Sequence, residues 1–259
     1  MYPKSSVNII SHIPHSSTSI PEDVRGQFVL SEEEIRRELI VMTDHFTDEL
    51  FHQIAPGAQD IIFAVSRLVV DPERFEVDAD EPMVSAGMGV IYHRTSAQKP
   101  LRRQISNDER QHLIDNYYRP HHRRLNRAAG EALQHSGRCL VLDCHSYPAK
   151  ALPYEINQGK TRPEICIGTD KFHTPGTVAD MARSIFQGAG FSVALNEPFA
   201  GALVPNDYYN IDERVLALMI EVRRDLYMNE ATGNKLASFS GFQQRLRACI
   251  HEVVGVING

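Results

Sequence analysis

The stretch Cys139-Leu140-Val141-Leu142-Asp143 carries the clearest fold signal in the chain, and the more polar Cys144-His145-Ser146 follows it directly. A short, β-branched and apolar run that ends in polar residues is typical of a buried strand. Runs of the same kind recur along the whole sequence. They predict further strands at 7–14, 60–65, 68–70, 90–92, 164–168, 191–195 and 216–222.

Helical patterns alternate with these strands. Ser31 and Glu34 form a capping-box pattern, and apolar residues at helical spacing continue to Leu50. Further helices are predicted at 106–134, with an interruption near Pro120, and at 177–188 and 240–254. The alternation predicts an α/β fold of three layers, a mostly parallel mixed sheet with helices on both faces. Since no linker or shift in composition divides the chain, residues 1–259 are predicted to form a single catalytic domain.

Composition excludes several classes of protein. The chain has 259 residues, of which 42% are hydrophobic and 23% charged, and its net charge of −6 provides no basic surface for nucleic acid. Its longest apolar runs are too short to span a bilayer, so no membrane partner is expected. The four cysteines form no C-x-x-C pair, and the first residues lack a long apolar leader. These features predict a soluble, acidic protein of the cytoplasm and leave its function open.

Polar residues at strand ends are candidates for chemistry, because ligands of open α/β sheets bind at that edge. His15 follows the first predicted strand, and His145 follows the strand at 139–143. Two imidazoles and a carboxylate form a ligand set of catalytic zinc. Asp44, near the apolar side of the second helical segment, is the candidate carboxylate. Loop histidines and an ordinary helix acid are the alternative interpretations.

Glu221 lies within the apolar run 216–222, where an unpaired carboxylate is costly. It is either one half of a buried salt bridge with Arg67 or Arg223, or a general base with a pKa set by burial. Arg67 and Arg74 flank a single predicted strand end. Because the guanidinium group pairs with carboxylates in bidentate fashion, they indicate a small acidic substrate, unless they are solvated or hold loops in place.

Eight short motifs occur in one order between about residues 12 and 227, and together they resemble the N-formylglutamate amidohydrolase family. Each motif alone is weak, whereas the ordered set is specific. The motifs are Pro14-His15-Ser16-Ser17, Ser66-Arg67 with Asp71-Pro72-Glu73-Arg74, Gly89-Val90-Ile91-Tyr92, Tyr118-Arg119-Pro120-His121-His122, Asp143-Cys144-His145-Ser146, Ile167-Gly168-Thr169-Asp170, Asn196-Glu197-Pro198-Phe199 and Ile220-Glu221-Val222-Arg223.

This resemblance implies a phosphorylase/hydrolase-like α/β fold, distantly similar to the zinc carboxypeptidases. It also implies that His15 and His145 are zinc ligands and that Glu221 is the general base. By the same resemblance, Arg74 polarises the scissile carbonyl or holds a substrate carboxylate. The carboxypeptidase pattern has a glutamate three residues after the first histidine, where this chain has Thr18. The third ligand is therefore assigned to Asp44.

The resulting hypothesis is a metal-dependent amidohydrolase with one Zn²⁺ per chain that cleaves the N-acyl amide of an acidic amino acid such as N-formylglutamate. Two alternatives stay open: a carboxypeptidase or deacylase for another N-acyl amino acid, and a non-enzymatic small-molecule binding protein of the same fold. The residues assigned to substrate binding are Arg67, Arg223, Asn196 and His122.

Overall fold

A mixed six-stranded sheet forms the centre of the computed structural model, which describes residues 7–155 and 158–258. Its strand order is β2-β1-β3-β6-β4-β5. All neighbouring strands are parallel except β4 and β6, which run antiparallel. The strands are β1 (Asn8–Ile13), β2 (Gln59–Ile62), β3 (Cys139–Tyr147), β4 (Ile165–Gly168), β5 (Val193–Leu195) and β6 (Val215–Arg223), and a separate short pair consists of β7 (Met228–Asn229) and β8 (Asn234–Lys235).

Helices cover both faces of this sheet, which confirms the predicted three-layer α/β fold. Because side chains alternate along a strand, Ile9 packs towards α7 and Ile10 towards α5. Within the described residues, none of the helices is both long and apolar enough to cross a membrane. The helices are α1 (Glu22–Arg25), α2 (Glu32–Met42), α3 (Thr47–Leu50), α4 (Asn107–Leu113), α5 (Arg119–Ser136), α6 (Gly176–Gly188) and α7 (Phe239–Asn258).

The strands predicted at 68–70 and 90–92 are wrong, since both segments are irregular in the structure. Leu68, Val69 and Tyr92 are fully buried in an apolar cluster outside the sheet. The carbonyl oxygen of Val69 accepts a hydrogen bond from the buried side chain of Arg102 at 3.0 Å. Apolar runs report burial, and burial alone does not distinguish a strand from a packed loop.

The helix predicted from Ser31 onwards ends earlier than its apolar spacing indicated. α2 stops at Met42, because Thr43 adopts an extended conformation, and Phe46 has a φ of 65°. Asp44 therefore lies in the loop between α2 and α3, not on a helix face shared with Asp48. The loop frees Asp44 to approach the sheet edge.

The interruption predicted near Pro120 is a π-helical turn at Ile114–Tyr118, and Pro120 itself lies in the first turn of α5. A bulge of this kind shifts the helical register without ending the helix. Residues 107–136 therefore form one nearly continuous helical segment, which places α5 across the sheet.

The start of α4 provides a test of stability against pH. Glu109 accepts hydrogen bonds from Arg103 and from the Ser106 backbone N–H, and these lower the pKa of Glu109 from 4.5 to about 2. A lowered folded-state pKa stabilises the protein above the ordinary pKa, and that contribution is lost as the pH falls towards 2. We therefore expect Glu109→Gln to lower Tm at pH 7 and to lower it less at pH 3. Thermal melts across this range measure the difference, and an equal deficit at both pH values would contradict it.

Candidate active site

Three buried residues from separate parts of the chain meet at the edge of the sheet. His15 follows β1, Asp44 lies in the loop after α2, and His145 lies in β3, which continues past it to Tyr147. His145 Nδ1 is 3.2 Å from Asp44 Oδ2, and His15 Nδ1 is 3.6 Å from the same oxygen. The three potential ligand atoms lie within 4.8 Å of one another.

The other ring nitrogen of each histidine faces a carboxylate. His15 Nε2 lies 2.8 Å from Asp71 Oδ1, and His145 Nε2 lies 3.0 Å from Asp143 Oδ1. If each Nε2 carries the proton, both Nδ1 lone pairs are directed at the space beside Asp44. His15 Nδ1 is buried there and has no hydrogen-bond partner among the described residues. Carboxylates that orient histidines in this way are typical of metal centres, so the residues fit a divalent cation.

Asp44 is held in place by a residue that the sequence interpretation missed. Arg224 is buried, and its Nη2 donates to Asp44 Oδ1 at 2.7 Å, while the Ser146 backbone N–H donates to Asp44 Oδ2 at 3.2 Å. Although burial acts in the opposite direction, the hydrogen bond from His145, the nearby His15 and the charge of Arg224 lower the pKa of Asp44 well below its usual value. The aspartate is therefore an anion in the folded protein.

Glu73 introduces a further charge beside the cluster. Its Oε2 lies 3.1 Å from His145 Nε2, and its Oε1 lies 3.3 Å from His12 Nδ1. Burial opposes protonation of His145, but the nearby Glu73 and Asp143 carboxylates dominate and raise the pKa of His145 well above its usual value. His12, Glu73 and Asp143 thus form a second group of potential ligands, of which His12 and Asp143 are buried and Glu73 is partly exposed.

Glu221 lies beside His145, its partner in the β3–β6 register. The side chain is 7% exposed, and its Oε2 has no hydrogen-bond partner in the described part of the chain. Arg67 and Arg223, the two partners considered for a salt bridge, pair with Asp71 and Asp225 instead. Burial raises the pKa of Glu221 to about 8. When ionised, this carboxylate is therefore a stronger proton acceptor than an exposed glutamate.

A cavity of about 320 Å³ opens onto this cluster, a size suited to a small ligand. Arg67 donates to Asp71 Oδ2 at 2.8 Å and to the Tyr92 hydroxyl at 3.0 Å. Arg74 Nε is buried 4.0 Å from Asp71 Oδ2, and no described residue forms a hydrogen bond with it. The charged residues in the cavity wall are His15, Asp44, Arg67, Glu73, Arg74, His145, Glu155, Glu221 and Arg224.

Three residues assigned to substrate binding lie outside this cavity wall. The Arg223 guanidinium binds Asp225 and the backbone carbonyl of Arg162. Asn196 is exposed, and its side chain bonds Thr169. His122 is buried behind the cavity, where its Nε2 lies 3.0 Å from the Pro72 carbonyl oxygen. The structure thus brings together His15, Asp44, His145, Glu221, Arg67 and Arg74, but not these three.

The family model and the curated relative that match this chain point to the same family. The family model described as N-formylglutamate amidohydrolase matches residues 7–228. An N-formylglutamate deformylase from Pseudomonas putida is 25% identical over 229 residues, which cover 86% of this chain and 82% of the relative.

Solved structures agree with this match. The crystal structure of an N-formylglutamate amidohydrolase from Ralstonia eutropha JMP134 superposes with a TM-score of 0.83 at 25% identity, over 97% of this chain and 94% of that one. A gene product from Agrobacterium tumefaciens shares the fold, with a TM-score of 0.63 at 21% identity over 97% of this chain and 90% of that one. The ordered motifs, the cavity and the matched residues 7–228 lead to one conclusion: this chain belongs to the N-formylglutamate amidohydrolase family.

Proposed function

We propose that this protein hydrolyses the formyl amide of N-formylglutamate, with a divalent metal ion at His15, Asp44 and His145 and with Glu221 as the general base. The observation that carries the proposal is the convergence of two carboxylate-oriented histidines and one aspartate beside an unpaired, buried glutamate. Family membership supports the reaction class.

Two imidazoles and one carboxylate favour zinc, which lowers the pKa of water and polarises carbonyl groups when it is bound. The protein's contribution is to keep these ligands in place. Asp71 and Asp143 fix the ring orientation of the histidines, and Arg224 fixes Asp44. Such outer partners typically alter metal affinity when they are removed.

The chain's own residues account for the proton transfers. Glu221 accepts a proton from the attacking water and delivers it to the departing nitrogen, which is the role of a general base that becomes a general acid. Its Oε2 has no other partner among the described residues, and it is the atom that we assign to both steps. Arg74 donates to the carbonyl oxygen as negative charge develops there, since its Nε is free of other partners.

The cavity wall supports a small anionic substrate. Arg67 uses Nε and Nη2 to bind Asp71 and Tyr92, so that Nη1 is the donor we assign to the substrate α-carboxylate.

A cytoplasmic location belongs to the same proposal, and it is supported by four cysteines that are all free thiols.

Purified protein supplied with zinc tests the proposal directly. We expect release of formate from N-formylglutamate, and a lower kcat/KM for N-acetylglutamate and for short peptides. A protein that hydrolyses the acetyl derivative or the peptides faster would instead be a deacylase or a carboxypeptidase. A metal-loaded protein with no turnover on any of these substrates would contradict the proposal.

A further inference from the structure

Arg162 has an arrangement of hydrogen bonds that is unusual for a buried arginine. Its side chain is 3% exposed, and its Nη1 donates to Glu155 Oε2 at 2.6 Å. Its Nε and Nη2 have no hydrogen-bond partner among residues 7–155 and 158–258. A buried charged group without its hydrogen bonds lowers the stability of the folded protein. The position of this arginine therefore calls for a functional explanation.

The two unpaired nitrogens form one edge of the guanidinium group. That edge presents two parallel N–H donors, which match the two oxygens of a carboxylate. Glu155 occupies only the opposite side of the group and also accepts from the Leu152 backbone N–H at 2.8 Å. Arg162 is therefore held from one side and left with a complete bidentate edge.

The guanidinium group packs against the cavity wall. It packs on the rings of Tyr147 and Phe199, which contact each other, with its central carbon 4.8 and 5.3 Å from the two ring centroids. Tyr147, Phe199 and Glu155 all line the cavity. The Arg162 backbone is anchored as well, since its carbonyl oxygen accepts from Arg223 Nη1 at 2.7 Å.

The position of Arg162 relative to the reacting centre can be measured along β3. Tyr147 lies two residues beyond His145 in that strand, which is a distance of about 6.6 Å. In an extended N-formylglutamate, standard bond lengths separate the formyl carbon from the side-chain carboxyl carbon by about 6 Å. A substrate with its formyl group beside His145 and Glu221 is therefore long enough for its side-chain carboxylate to reach the level of Tyr147, the residue on which Arg162 packs.

We propose that Arg162 determines substrate specificity by binding the side-chain carboxylate of the N-acyl amino acid through its Nε–Nη2 edge, and that Glu155 positions it. The identity of the substrate in this inference rests on the proposed function. The consequence is a preference for acidic over neutral side chains of the same length, because a neutral amide leaves the buried edge only partly satisfied.

Kinetics with N-formylglutamate and the isosteric, uncharged N-formylglutamine test this role. In Arg162→Gln, we expect kcat/KM for N-formylglutamate to fall about 10- to 100-fold, chiefly through KM, which is the effect of losing hydrogen bonds to a charged group. The value for N-formylglutamine should stay near that of the wild type. Arg162→Lys keeps the positive charge but lacks the bidentate edge of two N–H donors. Its loss of kcat/KM for N-formylglutamate should therefore be intermediate.

Arg245→Gln is a control for the loss of an arginine that stacks on an aromatic ring. The Arg245 guanidinium carbon lies 4.3 Å from the Phe191 ring centroid, but Arg245 is exposed and Phe191 does not line the cavity, whereas the rings beside Arg162 do. Arg245→Gln should leave the ratio of the two substrates unchanged. Equal losses on both substrates in the Arg162 variants would show that Arg162 has a purely structural role. Unchanged kinetics would show that Arg162 has no role in the reaction. Either result overturns the inference.

A binding measurement separates this inference from the proposed function. If the wild type hydrolyses neither substrate, the proposed function fails, and thermal shifts with glutarate and with its monoamide then decide the role of Arg162. Greater stabilisation by glutarate in the wild type, lost in Arg162→Gln, supports the carboxylate site. No preference for glutarate in the wild type overturns it.

Discussion

Replacing Glu221 with glutamine is expected to lower kcat for N-formylglutamate by about 10²- to 10⁴-fold, the usual contribution of a general base. Glutamine keeps the shape of the side chain but accepts no proton at neutral pH. The carboxylate oxygen Oε2 has no partner in the described residues, so little structural stabilisation is lost with it. Initial-rate measurements of formate release at saturating substrate give the value.

Glu38→Gln is a closely matched control for this substitution. Glu38 is 8% exposed, against 7% for Glu221, and burial likewise raises its pKa, but it binds Ser96 and lies outside the cavity wall. Its variant should retain nearly full kcat. A Glu221→Gln enzyme with wild-type turnover would remove Glu221 from the proton transfer, and an equally inactive Glu38→Gln enzyme would point to a loss of stability rather than of the base.

The relation between His145 and Glu221 shows how far a sequence predicts this site. Both central strands were predictable from their apolar runs, and period-two alternation predicts which residues share a face. The register of the β3–β6 pair, which places His145 directly beside Glu221, cannot be predicted from the two apolar runs. Register depends on the packing of the whole sheet, so two correctly predicted strands still leave the distance between their residues undetermined.

Asp44 was selected for a local structure that it does not have. The apolar spacing through Phe46 predicted a helix face, whereas Asp44 lies in a loop and is held by Arg224 across 180 residues of sequence. Helical periodicity reports which side chains are buried, and Phe46 is partly buried against the core whether or not the helix continues. A contact of such long range leaves no local signal.

Arg223 was assigned to substrate binding, and Arg224 was not considered. Within β6, Arg223 lies two residues after Glu221 and shares its face, yet its guanidinium binds Asp225. The strand ends at Arg223, and a 3-10 turn at Arg224–Leu226 directs the next arginine back towards Asp44. Alternation holds only within the strand, so residues at its last position are the ones for which a prediction of facing fails first.

The second large effect is expected in the zinc content of the His145→Ala variant. With zinc supplied at neutral pH, elemental analysis should find about one zinc per wild-type chain and essentially none in His145→Ala, because a site of three protein ligands then loses one of its two imidazoles. Zinc should also raise Tm of the wild type, since a ligand bound only by the folded state stabilises it, and leave Tm of His145→Ala unchanged.

His173→Gln controls for the loss of a buried histidine. His173 is fully buried and bonds the Val215 carbonyl oxygen at 2.7 Å, yet it lies outside both groups of potential ligands. Its variant should bind zinc as the wild type does, and so should Glu221→Gln if that residue acts on the proton and not as a ligand. Zinc retained by His145→Ala would place the ion elsewhere, for example at His12, Glu73 and Asp143. A wild-type protein that binds no zinc would contradict the proposal that His15 and His145 hold a metal ion.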